Sequence, residues 1–265
     1  MKIHPTAVVD PAATIAADVE VGPYSIIGGK ITVGEGTVIQ SHVVLEGEVV
    51  LGRNNVIGHG SIIGGPPQDL GFKPDTQSRV TIGDNNVVRE HCTIHRGTTE
   101  GSSTVIGDGN FLMAGVHVGH NSRVANHVII ANNCLLGGYV EIEDRAFIGG
   151  GTVFHQNTHV GRLVMAQGRS GFGKDVPPFL LAGQRNLVFG VNMLGLRRAG
   201  FTGAERDEIK RAFKLLYRSG LNIRQALEQA GATEFGPNGR EFFAFVANAR
   251  KRGIVPYRHA VEDAE

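Results

Sequence analysis

VGPYSIIGGKITVGEGTVIQSHVVLEGEVVLGRNNVIGHGSIIG (21–64) repeats every six residues. Val21, Ile27, Val33, Ile39, Leu45, Leu51, Ile57 and Ile63 fill one position of the repeat without a miss. Upstream the column begins at Ile3, Val9 and Ile15. Downstream it resumes as Ile82, Val88 and Ile94, then runs from Ile106 and Leu112 to Phe154 and Val160. Glycine often comes next, as at Gly22, Gly34, Gly52, Gly119, Gly137 and Gly149. A small or β-branched residue often stands four after the aliphatic one, as at Thr37, Ser61, Val116 and Val140. Helices repeat at 3.6 residues and strands at two, so neither alone fits. Six residues suit a short strand and a tight turn, in which glycine is expected to relieve the backbone at positive φ. Three such units close a triangular coil. Stacked coils bury the aliphatic column and pair their backbones, which predicts a parallel β-helix.

Two interruptions stand out. Ile63 and Ile82 are nineteen residues apart, so GGPPQDLGFKPDTQSR is expected as a loop pushed out of the prism, spanning 64–81. Between Ile94 and Ile106 the phase is kept, but the polar HRGTTEGSSTV is expected to bulge. Loops on a rigid scaffold commonly carry function. The repeat fades after Met165, and beyond Pro177 and Pro178 helical signals take over. Thr202 with Glu205 forms a capping-box pattern, and ERDEIKRAFKLLYRSG, NIRQALEQAG and REFFAFVANARKRG read as helices. The chain therefore divides into a β-helix over 1–185 and an α-helical C-terminal part over 186–265.

The 265 residues include 38 glycines, 26 Lys+Arg and 25 Asp+Glu. Glycine at this share without a three-residue period excludes collagen, and the repeat excludes disorder. No run approaches the roughly 20 apolar residues of a membrane helix, and MKIHPTAVVDPAATI lacks the apolar core of a secretory signal. Cys92 and Cys134 cannot form a disulfide framework. A soluble, cytoplasmic protein without an integral membrane segment is expected. Near-neutral charge and few aromatic residues argue against nucleic acid as a partner.

Eighteen residues make one coil, so His120, Gly138 and Gln156 should stack in a column, with Asn121, Tyr139 and Asn157 beside it. His117 lies three residues back, and His155 adjoins Gln156. An imidazole, a bare glycine and a carboxamide one coil apart suit acyl transfer. His120 would take a proton from an attacking hydroxyl, and a backbone N–H, Gly138 the best candidate, would hold the tetrahedral oxyanion. The competing reading of any single histidine is a surface residue of the prism. A zinc reading also exists, because γ-class carbonic anhydrases bind zinc through three histidines, two of them five apart. The close pairs here (His91/His95, His117/His120, His155/His159) do not match that spacing.

IHRGT (94–98), NFLMAGVHVGH (110–120), ANN (131–133), IGG (148–150), HQ (155–156), DVPP (175–178), FGVN (189–192), GLRRAGF (195–201) and KLLYRSG (214–220), with QDL (68–70), closely resemble the UDP-N-acetylglucosamine O-acyltransferases. The likeness spans essentially the whole chain. It implies a left-handed β-helix, the hand coming from hexapeptide-repeat proteins rather than from the spacing. It also implies a cytoplasmic homotrimer with sites between adjacent prisms. The implied reaction moves a (R)-3-hydroxyacyl chain from acyl carrier protein to the 3-position of a UDP-sugar, at the start of lipid A synthesis. No cofactor, neither metal nor coenzyme A, is implied. His120 takes the general-base position and Gly138 the oxyanion position. Asp69, His117, His155, Gln156, Asn192 and Arg198 match substrate-contacting positions, and Gly168 the position that limits acyl-chain length, where glycine suggests room for a longer chain. The chain departs from the family at Asn121 (usually Asp), Gly71 (Lys), Tyr139 (His, a substrate-side position), Arg185 (His) and Ala199 (Arg).

Residues 160–218 hold eleven Lys and Arg against four acids, a surface for an acidic carrier protein or a diphosphate. Three readings from different classes follow: the carrier-protein-dependent sugar O-acyltransferase, with a paralogue acting on a 3-amino sugar or another donor as its variant; an acetyl-coenzyme A-dependent acetyltransferase; and a non-catalytic β-helix that binds or scaffolds.

Overall fold

The computed structural model describes residues 2–257; the last eight residues of the expected helical part, 258–265, lie outside them. Among the described residues the strands form three sheets of eleven, nine and eight strands. Successive strands go to successive sheets, as a wound prism requires. Register is parallel at eighteen residues: Val21 pairs with Ile39, Ile27 with Leu45 and Val33 with Leu51. This is a left-handed hexapeptide-repeat β-helix.

The aliphatic column points inward and is fully buried from Val21 onward, while Ile3 at the open end remains partly exposed. Each buried Leu, Ile or Val is worth roughly 1.5–3 kcal/mol, and the stack repeats that contribution coil after coil. The second interior column, four residues on, holds Thr37, Ser61, Val116 and Val140 and also three buried asparagines. Asn86 Nδ2 donates to Asn55 Oδ1 and Asn110 Nδ2 to Asn86 Oδ1, both at 3.0 Å, so the polar groups are paired inside the prism.

The glycines after the aliphatic position do not carry the positive φ expected of them; Gly64, at +86°, is the exception. The left-handed turn residue sits three after the aliphatic one: Tyr24, His42, Asn54, Asn121, Tyr139 and Asn157 all have φ between 54° and 64°. The glycines serve close approach instead. A Cβ on Gly119 would lie 2.7 Å from the Leu136 carbonyl oxygen of the next coil.

The first loop leaves the sheets only over 66–78, because strands Ile62–Gly65 and Arg79–Ile82 keep their ladders on either side. The expected 64–81 is thus trimmed at both ends. The second interruption lengthens one coil: Thr93 pairs with His117 and Ile94 with Val118, twenty-four residues apart. The two insertions brace each other through Gly101 N–H to the Gln77 carbonyl (2.8 Å) and Gln77 N–H to Glu100 Oε2 (3.0 Å).

Strand Leu187–Val191 turns back antiparallel on Leu180–Gly183, so sheet bonding continues past residue 185. Helices α1 (Met193–Arg198), α2 (Gly203–Tyr217), α3 (Ile223–Gly231) and α4 (Pro237–Ala247) follow. Thr202 and Glu205 form a complete capping box on α2. Gly236, which has no side chain to cap α4, is compensated by buried Glu208, whose Oε1 accepts from Gly239 N–H at 2.7 Å. Buried Asp175 fastens the two parts together, accepting from His159 N–H and from Arg250 N–H.

Candidate active site

His120 follows the strand His117–Val118 at the turn into the next face, and is 8% exposed. Its ring lies in the space where Gly138 lacks a side chain: a Cβ there would come within 2.3 Å of the imidazole Cε1. The glycine one coil along is therefore a requirement of the histidine. Gly138 N–H has no hydrogen-bond acceptor among the described residues, although the carbonyl of the same residue accepts from Asn157 N–H at 3.0 Å. An unpaired N–H beside an imidazole suits an oxyanion.

His120 Nδ1 lies 3.0 Å from Asn121 Oδ1. The same oxygen accepts from the backbone N–H and the hydroxyl of Thr98, both at 3.0 Å. A backbone N–H can only donate, so the atom facing Thr98 is the amide oxygen. That oxygen can only accept, so Nδ1 carries the ring hydrogen and Nε2 is left as the basic nitrogen. The Tyr139 ring meets the His120 ring edge-on, with centroids 5.3 Å apart.

A cavity of about 180 Å³ opens here, lined by His117, His120, Gly138 and Gln156 together with His95, Gln68, Gly119 and Gly137. His95 and Gln68 are additions to the expected set. His117 accepts from or donates to Thr93 Oγ1 at 2.8 Å and packs 5.2 Å from His95. Burial, with the cationic forms of His95 and His120 nearby, pulls the His117 pKa down to about 4. It is a neutral polar contact at ordinary pH.

The other expected residues lie outside this cavity. Asp69 is exposed on the 66–78 loop, its carboxylate accepting from Gly71 N–H at 2.8 Å. Tyr139 and Asn121 face a separate polar hollow of about 490 Å³ that also holds Arg123, Glu141 and Arg250. His155 lines a third, open depression of about 710 Å³ with Arg169, Arg185 and the apolar floor of Val153 and Phe172. Gly168 is exposed in the neighbouring column, where a Cβ would be 3.0 Å from the Gly150 carbonyl oxygen. Asn192 caps α1 through Oδ1 and donates from Nδ2 to the Leu163 carbonyl, so it anchors the helix on which exposed Arg198 sits. Of the basic cluster, Arg162 is taken up by Glu241 and Arg206 by the Phe201 carbonyl, while Arg169, Lys174, Arg185, Arg197, Arg198, Lys210, Arg211, Lys214 and Arg218 are exposed, Arg218 with Tyr257 as a partner. Among the described residues no three His, Cys, Asp or Glu side chains converge in a metal-holding group.

Known proteins match this chain along its length. Residues 103–138 fit a profile described as bacterial transferase hexapeptide (six repeats). Residues 175–255 fit one described as Udp N-acetylglucosamine O-acyltransferase, domain 2. An acyl-[acyl-carrier-protein]–UDP-N-acetylglucosamine O-acyltransferase from Thermodesulfovibrio yellowstonii is 44% identical over 229 residues, 86% of this chain and 89% of the relative. The UDP-N-acetylglucosamine acyltransferase of Francisella novicida superposes with a TM-score of 0.92 at 36% identity, covering 97% of this chain and 95% of that one. LpxA from Acinetobacter baumannii gives 0.91 at 38% identity, over 96% and 99% of the two chains.

Proposed function

The chain belongs to the UDP-N-acetylglucosamine O-acyltransferase family, and from that premise we propose that it transfers a (R)-3-hydroxyacyl group from acyl carrier protein to the 3-hydroxyl of UDP-N-acetylglucosamine, the reaction that opens lipid A synthesis. The observation that carries this reading is the fixed tautomer of His120 beside an unpaired Gly138 N–H.

The acceptor hydroxyl gives its proton to His120 Nε2 as its oxygen bonds to the thioester carbonyl carbon. The resulting oxyanion accepts from Gly138 N–H. Collapse breaks the carbon–sulfur bond, and the departing sulfur of the carrier's thiol arm takes the proton back from His120. His117, His95, Gln68 and Gln156 line the pocket and hold the sugar. The depression floored by Val153 and Phe172 and rimmed by Arg169, Arg185 and His155 suits a phosphate-bearing thiol arm with its acyl chain. Gly168 lies near its edge as the length-limiting position.

A cavity of about 180 Å³ is smaller than the roughly 300–1,000 Å³ of ordinary ligand sites, so one chain supplies only part of the wall for a UDP-sugar. A homotrimer completes it, with Asp69 and Arg198 reaching the sugar nucleotide from a neighbouring prism. The outer faces support such an assembly. Val8, Ile26, Ile62, Leu135 and Val153 project from one sheet, Ile129 and Phe147 from a second, while Arg123, Glu141 and His159 project from the third. Two different apolar faces favour a heterologous ring over a two-fold dimer. No helix among the described residues is long and apolar enough to cross a membrane; we place the enzyme in the cytoplasm with its carrier protein.

Transfer from a panel of hydroxyacyl carrier proteins to UDP-N-acetylglucosamine and to its 3-amino analogue tests the reading. Turnover on the hydroxyl sugar is expected. Turnover on the amino sugar alone would assign the chain to the paralogous reaction, and turnover on neither would leave the fold without this substrate.

A further inference from the structure

Asn121 Oδ1 accepts from the backbone N–H and the hydroxyl of Thr98 as well as facing His120, and Thr98 has no other place in the reaction. Thr98 sits in the six-residue extension that makes one coil twenty-four residues long. The extension is tightly built. The Gly97 carbonyl accepts from Ser78 Oγ at 2.6 Å, and a Cβ on Gly97 would collide with Ser102 Oγ at 2.2 Å. Ser102 Oγ in turn donates to the Thr99 carbonyl at 2.7 Å. Thr98 is thus delivered to Asn121 from a rigid loop. Its hydroxyl lies 3.0 Å from Asn121 Oδ1 and 3.1 Å from Tyr139 Oη. With the Thr98 hydrogen directed at the amide oxygen, the Tyr139 hydroxyl supplies the hydrogen between the other two.

Tyr139 is fixed as well. Its carbonyl accepts from Arg250 Nη1 at 3.0 Å, Arg250 pairs with Glu141 at 2.8 Å, and its ring abuts the imidazole. The backbone of Asn121 is held as well, its N–H donating to Thr104 Oγ1 at 2.8 Å.

We propose that Thr98 and Tyr139 are positioning residues for the base. A chain of neutral hydrogen bonds, Tyr139 Oη–H to Thr98 Oγ1 and Thr98 Oγ1–H to Asn121 Oδ1, orients the amide oxygen so that His120 keeps its hydrogen on Nδ1 and its lone pair on Nε2. Geometry here does the orienting that a carboxylate performs partly by charge. The role of the oriented nitrogen rests on the acyl-transfer reading; the tautomer itself does not.

The tautomer is read directly from the ¹⁵N resonances of His120 in substrate-free protein, across Thr98→Val, Thr98→Ser and Tyr139→Phe. In the wild type, Nε2 resonates as a pyridine-type nitrogen and Nδ1 as a pyrrole-type one. Thr98→Val, which keeps the shape and the backbone N–H, moves the two signals toward each other. It also lowers kcat about five-fold, the worth of one net hydrogen bond, with KM for the sugar nucleotide within two-fold. Thr98→Ser restores both, and Tyr139→Phe shows a smaller shift in the same direction. An unmoved tautomer in Thr98→Val, or a Thr98→Ser that fails as Thr98→Val does, overturns the proposal. A wild type that turns over no donor overturns the acyl-transfer reading, while the ¹⁵N shifts still decide this one.

Discussion

His120 Nδ1 and Asn121 Oδ1 stand 3.0 Å apart, and Thr98 donates to that same oxygen through both its backbone N–H and its hydroxyl, which identifies the amide atom facing the ring as oxygen. The amide therefore orients the imidazole as a carboxylate would, without a charge to stabilise the imidazolium.

Asn121→Ala removes the acceptor and frees the ring to adopt the wrong tautomer. A kcat lowered by roughly ten- to a hundred-fold is expected, with the fold intact by circular dichroism. Asn121→Asp keeps the acceptor and adds charge, making the bond charge-assisted and roughly twice as strong. It is expected to raise kcat several-fold. A rate equal to that of Asn121→Ala would show that the amide acts in some other way.

Gly138→Ala places a methyl group where the His120 ring lies, 2.3 Å from Cε1. Gly138 is not in a left-handed conformation, so its backbone accepts alanine. The ring must move instead. An imidazole displaced by about 1 Å costs on the order of a hundred-fold in rate, with little change in the thermal midpoint. Equal losses of stability and activity would point to a structural glycine only.

The column from His120 to Gly138 and Gln156 was readable from the eighteen-residue coil, because the coils from residue 106 to residue 172 keep that length. His95 and Thr98 were not readable in this way. Counting eighteen back from His117 arrives at Thr99, whereas the extended coil stacks His117 on Thr93 and brings His95 and Thr98 beside the base. Gln68 lies on a loop with no period at all. The aliphatic column was legible throughout, yet the purpose of the glycines beside it was not. Positive φ and close coil approach both favour glycine, and only the backbone angles separate them. The basic cluster was visible as composition, but Arg162 and Arg206 proved to be engaged internally.

His117 gives the protein a pH-dependent term. Its unfolded imidazole titrates near 6.5, and in the fold burial and two histidine neighbours bring it to about 4. Between those values the unfolded chain binds the extra proton. Stability from this residue is therefore complete above about pH 6.5 and declines as pH falls toward 4. His117→Gln should shrink the difference in urea midpoint between pH 7 and pH 5. An identical difference in both proteins would contradict the shift.

Gly168→Met projects a side chain from an exposed column, its Cβ 3.0 Å from the Gly150 carbonyl oxygen, a contact that eases with a few tenths of an ångström of movement. Long acyl donors should lose at least about ten-fold in kcat/KM against short ones. An unchanged chain preference would remove Gly168 from the acyl path.

The most direct test is kcat for His120→Ala beside the wild type, with a hydroxyacyl carrier protein as donor and UDP-N-acetylglucosamine as acceptor. Removal of the general base predicts a fall of about two to four decades. A rate within a few-fold of the wild type would contradict the assignment of His120 as the group that takes the proton.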